Sequence, residues 1–213
     1  MGSKLPFQKP ENLGKRLLIL CVSIILMGFS TSLLRPIELG SDPYTTLNMG
    51  IELATPISFG TAELLVNGIM LVFVLIADRK QIGIGTVVNM FFLGYVSDFF
   101  FWIWGMVLPA DFFASTVVRY ALLVPALVIF VISCAGYMGT ALGVSAYDAI
   151  PIWMEKKIPR VHGRIIRICW DWFYIILGIL MGAPAGIITV LMAFMLGPTI
   201  SAVRDWFRKI GLV

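Results

Sequence analysis

The stretch LGSDPYTTL at residues 39–47 returns as LGVSAYDAI at residues 142–150, and the offset of 103 that superposes them runs without a gap from 39–97 onto 142–200. Fourteen of those 59 aligned pairs are identical. Leucine matched with leucine would say little in so apolar a chain. The identities, however, include Gly40/Gly143, Tyr44/Tyr147, Pro56/Pro159, Gly60/Gly163, Gly83/Gly186, Thr86/Thr189 and Gly94/Gly197. Glycine and proline set backbone geometry, so their recurrence at one offset reads as an internal duplication.

Outward from the repeat, the composition is that of a chain that meets lipid. Hydrophobic residues make up 59%, charged residues 13%, and the mean hydropathy is +0.94, where a soluble domain carries about 25% charged residues. Six runs have the roughly 20 apolar residues that cross a hydrocarbon core of about 30 Å. They fall near 15–35, 60–78, 85–108, 116–138, 164–182 and 185–206. Each has to be a helix, because lipid offers the backbone no hydrogen-bond partner. The polar 1–14 segment precedes a run without a small-residue cleavage site, so the first run is expected to be a retained helix and not a signal peptide.

Lysine and arginine then set the orientation. Lys4, Lys9, Lys15 and Arg16 precede the first run; Arg79 and Lys80 lie between the second and third; Lys156, Lys157, Arg160, Arg164 and Arg167 surround the loop before the fifth; Arg204, Arg208 and Lys209 close the chain. With six spans, 14 of the 16 basic residues fall on one side and only Arg35 and Arg119 on the other. Both termini are therefore expected in the cytoplasm of a bacterial cytoplasmic (inner) membrane protein. The net charge of +4 is explained by this flanking pattern, and no nucleic-acid partner is required.

Each copy of the repeat contributes three spans, an odd number, so the second copy enters the membrane upside down. The expected fold is an all-α membrane protein, six transmembrane helices in a 3+3 inverted-topology repeat, with 15–108 as the first three-helix unit and 116–210 as the second. Between the first two spans of each unit lies a shorter element, near 43–55 and 146–158. At 1.5 Å per residue, 13 helical residues reach about 20 Å, too short to cross. Asp42 before Pro43, and Ser145 three residues before Asp148, are capping signals, and each element ends before a proline, Pro56 or Pro159. Two placements suit such elements. As re-entrant half-helices they would bring their N-terminal amides together near the midplane, where an anion is favoured; as amphipathic connectors they would lie flat on the two surfaces. Pro151, which faces Asn48 in the repeat, is expected to kink the second element or delay its start.

These residues resemble the YczE/YyaS/YitT-like bacterial integral membrane proteins. The likeness rests on Leu39, Gly40, Pro43 and Tyr44 after the first span, on Gly83, Ile84, Gly85, Thr86 and Asn89 opening the third, and on Asp98 nine residues later. Gly163, Arg164, Arg167 and Asp171 form a similar run in the second half. The second repeat departs from the pattern, with Ala146 and Tyr147 in place of a proline-led pair. The resemblance covers most of the chain and implies a multispanning fold but little about activity.

The polar residues inside apolar runs are the site candidates. Asp98 lies about 14 residues into the third run, where an unpaired carboxylate costs about 2.5–3.5 kcal/mol on insertion scales; it is read as a proton-coupling group or as an interhelical hydrogen bond. Arg167 and Asp171 are spaced i,i+4 on the fifth run, either a coupling pair or a carboxylate that neutralises a snorkelling arginine. Glu63 and Asn67 share one face of the second, as part of a gate or of a wet vestibule. Tyr44 and Tyr147 open the two short elements and offer a hydroxyl and an aromatic face; interface-belt tyrosines are the plainer account. Asn89, Thr86, Thr189 and Asp148 complete the substrate-binding candidates, with interhelical bonding or capping as their structural alternatives. The small-residue ladders Ala135/Gly139/Gly143, Gly178/Gly182/Gly186 and Ala193/Gly197/Ser201 read as packing seams.

A lone His162, and three cysteines (Cys21, Cys134 and Cys169) without ligand spacing, give no expectation of a metal or other cofactor. No phosphate-binding loop, deaminase signature or nucleophile elbow is present, so no enzymatic activity is expected and no catalytic residue is assigned. The reading is a secondary transporter of a small polar or anionic solute, with Asp98 or Asp171 coupling a proton. The rivals are a substrate-capture subunit of a multi-component importer and a non-transporting structural or regulatory membrane protein. Expected partners are membrane lipid and one small solute; self-association into a homo-oligomer is left open.

Overall fold

The computed structural model describes residues 12–109 and 111–211. Lys4, Lys9 and most of the 1–14 segment lie outside the described residues. Among the described residues there are eight α-helices and no strand: α1 Leu13–Ile37, α2 Pro43–Ala54, α3 Phe59–Asp78, α4 Ile84–Val107, α5 Thr116–Gly139, α6 Ala146–Lys157, α7 Gly163–Leu180 and α8 Ile187–Lys209. The starts of α5, α6 and α8 follow those of α1, α2 and α4 by 103 residues, and that of α7 follows α3 by 104.

Five helices (α1, α3, α4, α5 and α8) are long and apolar enough to cross a membrane. Helix α7 has 18 residues and carries Arg164, Arg167 and Asp171, which dilute its hydropathy, yet its outer face is apolar, with Phe173, Ile176 and Leu180 exposed. Apolar side chains also cover the outside of the long helices, among them Ile69, Ile76, Val117 and Ile187. Such an exterior suits hydrocarbon and not water, as in a multi-pass membrane protein.

Helices α1 and α5 form the spine and run antiparallel. The Arg16 guanidinium donates to the Thr140 carbonyl at 2.7 Å at one end, and the Ser30 hydroxyl donates to the Ala126 carbonyl at 2.6 Å further along. Leu20, Ile24, Met27, Leu93, Phe130 and Leu196 make the core between this pair and α4 and α8. Lys15 Nζ reaches the Gly211 carbonyl at 2.7 Å, which sets the start of α1 beside the end of α8. The Arg119–Glu38 pair, at 3.3 Å, marks the opposite end of the spine.

The two short helices are buried in their first two turns. Pro43, Thr45, Thr46, Leu47, Asn48, Met49 and Gly50 of α2 are all buried, as are Ala146, Tyr147, Ala149, Ile150 and Pro151 of α6. A helix lying flat would bury one face only. Helix α6 begins at Ala146 with Pro151 inside it, so Pro151 does not delay its start. Helix α2 lies against α7 so closely that a Cβ at Gly178 would sit 2.6 Å from the Thr46 carbonyl oxygen. That crossing is a packing seam, as the first member of its ladder suggested.

The loops before α2 and α6 turn on Gly40 and Gly143, with φ of +108° and +114°, a region that side chains other than glycine's rarely enter. Each loop is fastened by a threonine of the other half. Thr86 Oγ1 accepts from the Gly83 N–H at 3.1 Å and donates to the Val144 carbonyl at 2.6 Å. Thr189 Oγ1 accepts from the Ser41 N–H at 3.3 Å and from the Gly186 N–H at 3.4 Å.

Candidate functional site

Capping fixes how α2 and α6 present their first turns. The Asp42 carboxylate accepts from the Thr45 N–H at 3.1 Å, and the Ser145 hydroxyl accepts from the Asp148 N–H at 3.1 Å. The two starts converge: the Tyr44 and Tyr147 rings lie 5.1 Å apart, with Tyr174 edge-on to Tyr147 at 4.9 Å. Beside them opens a cavity of about 180 Å³, walled by residues of both halves of the chain.

Part of the lining is polar. Asp42, Tyr44, Glu63, Asn67 and Asn89 come from the first half, and Tyr137, Ser145, Tyr147, Asp148 and Arg167 from the second. Met27, Leu93, Phe130, Leu196 and Ile200 add apolar surface to the same lining. Several polar atoms on the lining have no protein partner although they are buried: Asp42 Oδ2, Glu63 Oε1, Asn67 Nδ2 and Tyr137 Oη. Asn48 Oδ1, in α2, is in the same condition. Native proteins pair nearly all such groups, so four unpaired ones on residues that line one cavity set it apart from the rest of the interior.

The basic side chain of the lining is already engaged. Arg167 Nη1 lies 2.5 Å from Asp148 Oδ1, and its Nε lies 3.1 Å from Asp171 Oδ1. Its guanidinium carbon stands 4.9 Å from the Tyr147 ring centre. Asp171 in turn accepts a short hydrogen bond from the Tyr147 hydroxyl. The expected i,i+4 pair therefore exists, and Asp148 joins it as a third member while also receiving the Ser145 hydroxyl at 2.7 Å.

Asp98 belongs to a different cluster. Its Oδ1 lies 2.9 Å from Arg35 Nη1, and its Oδ2 accepts from the Gly60 N–H at 2.8 Å. Arg35 is buried, pairs with Glu52 at 2.6 Å, and lies over the rings of Phe59 and Phe101 at 4.3 and 4.5 Å. Each of the two clusters sets one arginine between two carboxylates.

Of the candidates, the structure thus brings Tyr44, Tyr147, Asp148, Asn89, Arg167, Glu63 and Asn67 to the cavity. It sets Asp171 directly behind the lining, Asp98 at the crossing of α1, α3 and α4, and Thr86 and Thr189 in the loop braces. The lining also holds residues not singled out as candidates. Asp42 lines the cavity besides capping α2, Tyr137 reaches it from α5, and Gly197 and Ser201, expected in a packing ladder, line it from α8, where a Cβ at Gly197 would meet nothing within 4 Å. The signal that could have found Asp42 was its position, at the N-cap of α2 and two residues before Tyr44, itself a candidate.

Among proteins of known sequence, an uncharacterized protein of Haemophilus influenzae is 24% identical over 191 residues, covering 87% of this chain and 82% of its own length. No solved structure matches the chain. Residues 14–205 match a family of unknown function, DUF6198, and the chain belongs to that family.

Proposed function

We propose that this protein is a secondary transporter of a small polar solute, which it binds in the cavity where the first turns of α2 and α6 converge. The observation that carries the reading is the set of buried, unpartnered polar atoms contributed by both halves of the chain to one cavity. A protein that only held other chains together would have no use for unpaired polar groups around an internal space.

The rest of the proposal concerns how the chain sits in the membrane. Six helices cross it, α7 being the sixth, as two inverted three-helix units with α2 and α6 re-entrant. Support comes from the antiparallel course of the repeat-related α1 and α5, from the meeting of repeat-related Tyr44 and Tyr147, and from the burial of the first turns of both short helices. The basic residues argue for a bacterial cytoplasmic membrane with both termini inside the cell. The sequence likeness to YczE/YyaS/YitT-like proteins implies a multispanning fold. For proton coupling we assign Asp171 ahead of Asp98, because Asp171 touches the cavity wall through Tyr147 and Arg167.

Purified protein in sealed liposomes tests the reading. A secondary transporter moves solute down or against a gradient without ATP or other chains. Binding without movement would instead identify a substrate-capture subunit, and the absence of both would leave a structural or regulatory protein.

A further inference from the structure

We infer that the cavity selects a small organic cation, an amine with an apolar body, in preference to an anion. The inference rests on the proposed solute site and deepens it.

The cavity's charge is unbalanced. Three carboxyl groups line it, Asp42, Glu63 and Asp148, and a fourth, Asp171, stands behind Tyr147. Among the described residues Arg167 is the one basic side chain on the lining, and Asp148 and Asp171 hold it from two sides. That leaves Asp42 and Glu63 on the lining without a cation within ion-pair distance. Asp42 is 5% exposed and Glu63 2%, and each has one carboxyl oxygen without a protein partner. An acceptor buried in this way is stabilised by a donor that carries positive charge.

An anion would meet the reverse situation. The convergent helix starts would attract one if their amides were free, but Asp42 and Ser145 already cap them. A carboxylate or phosphate entering the cavity would come beside the Asp42, Glu63 and Asp148 carboxyl groups and find its single guanidinium already shared.

The shape of the lining narrows the cation. Among the described residues no group of three or more His, Cys, Asp or Glu is placed to hold a metal ion, and hard divalent ions take six or more oxygen ligands. An ammonium group needs two or three acceptors and tolerates aromatic faces, which the Tyr44 and Tyr147 rings supply. On the same lining, Leu93, Phe130 and Leu196 supply surface for hydrocarbon. Asn67 Nδ2 and Tyr137 Oη remain for a neutral polar group on the same molecule.

A charge series of nearly constant shape tests this on the purified full-length chain: benzylamine, benzyl alcohol and benzoate, each read by thermal shift and by calorimetry. Benzylamine is expected to raise the melting temperature and to bind at least about tenfold more tightly than the other two. Glu63→Gln and Asp42→Asn should each weaken benzylamine by a similar factor and leave benzyl alcohol unchanged. Equal or tighter binding of benzoate, or benzylamine binding that neither substitution weakens, overturns the inference; so does a benzylamine shift no larger than that of benzyl alcohol. If a substituted chain does not fold, the series on the unaltered chain decides. In liposomes the two readings separate. Benzylamine bound but not moved keeps the cation site and rejects transport, whereas benzoate moved in place of benzylamine keeps transport and rejects the cation site.

Discussion

Tyr44 and Tyr147, 103 residues apart in the chain, meet with ring centres 5.1 Å apart, yet their hydroxyls bond to different partners. Tyr44 donates to the Glu63 backbone carbonyl at 3.1 Å, and Tyr147 donates to the Asp171 carboxylate. The two tyrosines occupy matching positions of the sequence repeat, and only Tyr147 has a carboxylate as its acceptor. Hydrogen bonds to a charged partner contribute about 1.5–3 kcal/mol against about 0.5–1.5 kcal/mol for neutral ones. Tyr147→Phe should therefore lower the melting temperature more than Tyr44→Phe, both rings being retained. Equal losses from the two substitutions would mean that the Asp171 bond contributes no more than an ordinary one.

Topology follows from labelling at positions chosen by exposure. Ser41 is buried and would react poorly, whereas the Glu38 side chain is 57% exposed and Lys157 is exposed. In a chain lacking Cys21, Cys134 and Cys169, Glu38→Cys should react with a membrane-impermeant maleimide on intact cells and Lys157→Cys only after lysis. Reaction of both on intact cells would reject the inverted repeat and the cytoplasmic termini.

The helices were legible because lipid permits few alternatives: the six apolar runs and both short elements reappear within about three residues of their expected bounds. The repeat offset gave the loop glycines for a similar reason, since φ at Gly40 and Gly143 is a local property. Long-range pairing was not legible. Nothing in the order of residues says that Arg35 reaches Asp98 and Glu52, or that Asp42 lines one cavity with residues from the second half. Asp98 drew attention as an ion in an apolar run, and that signal marks a charge needing a partner whether or not the partner is a solute. Thr86 and Thr189 show the converse, their recurrence in the repeat reflecting a brace used twice.

Those braces carry a prediction about stability alone. Thr86 Oγ1 makes two hydrogen bonds, one at 2.6 Å, whereas both bonds to Thr189 Oγ1 are 3.3 Å or longer. Valine keeps the side-chain shape and removes the hydroxyl, leaving buried backbone groups unpaired at about 1–3 kcal/mol. Thr86→Val should lower the melting temperature in detergent more than Thr189→Val, and neither should change benzylamine affinity. A loss of affinity without a loss of stability would return these threonines to the binding site.

Asp98 and Asp171 separate by the company they keep. Asparagine at 98 keeps an acceptor for the Gly60 N–H, and Arg35 retains Glu52 and the faces of Phe59 and Phe101. The change removes one of the two ion pairs of the buried Arg35 guanidinium, so Asp98→Asn should lower the melting temperature and leave the pH dependence of solute movement intact. Asp171 is buried against Tyr147 and Arg167, both on the cavity. A carboxyl there can exchange a proton as Arg167 is held or released, which asparagine cannot do. Asp171→Asn should therefore retain benzylamine binding while abolishing accumulation driven by a pH gradient in liposomes. Accumulation that survives Asp171→Asn and fails in Asp98→Asn would move the coupling group to the Arg35 cluster, and survival in both would remove proton coupling from the mechanism.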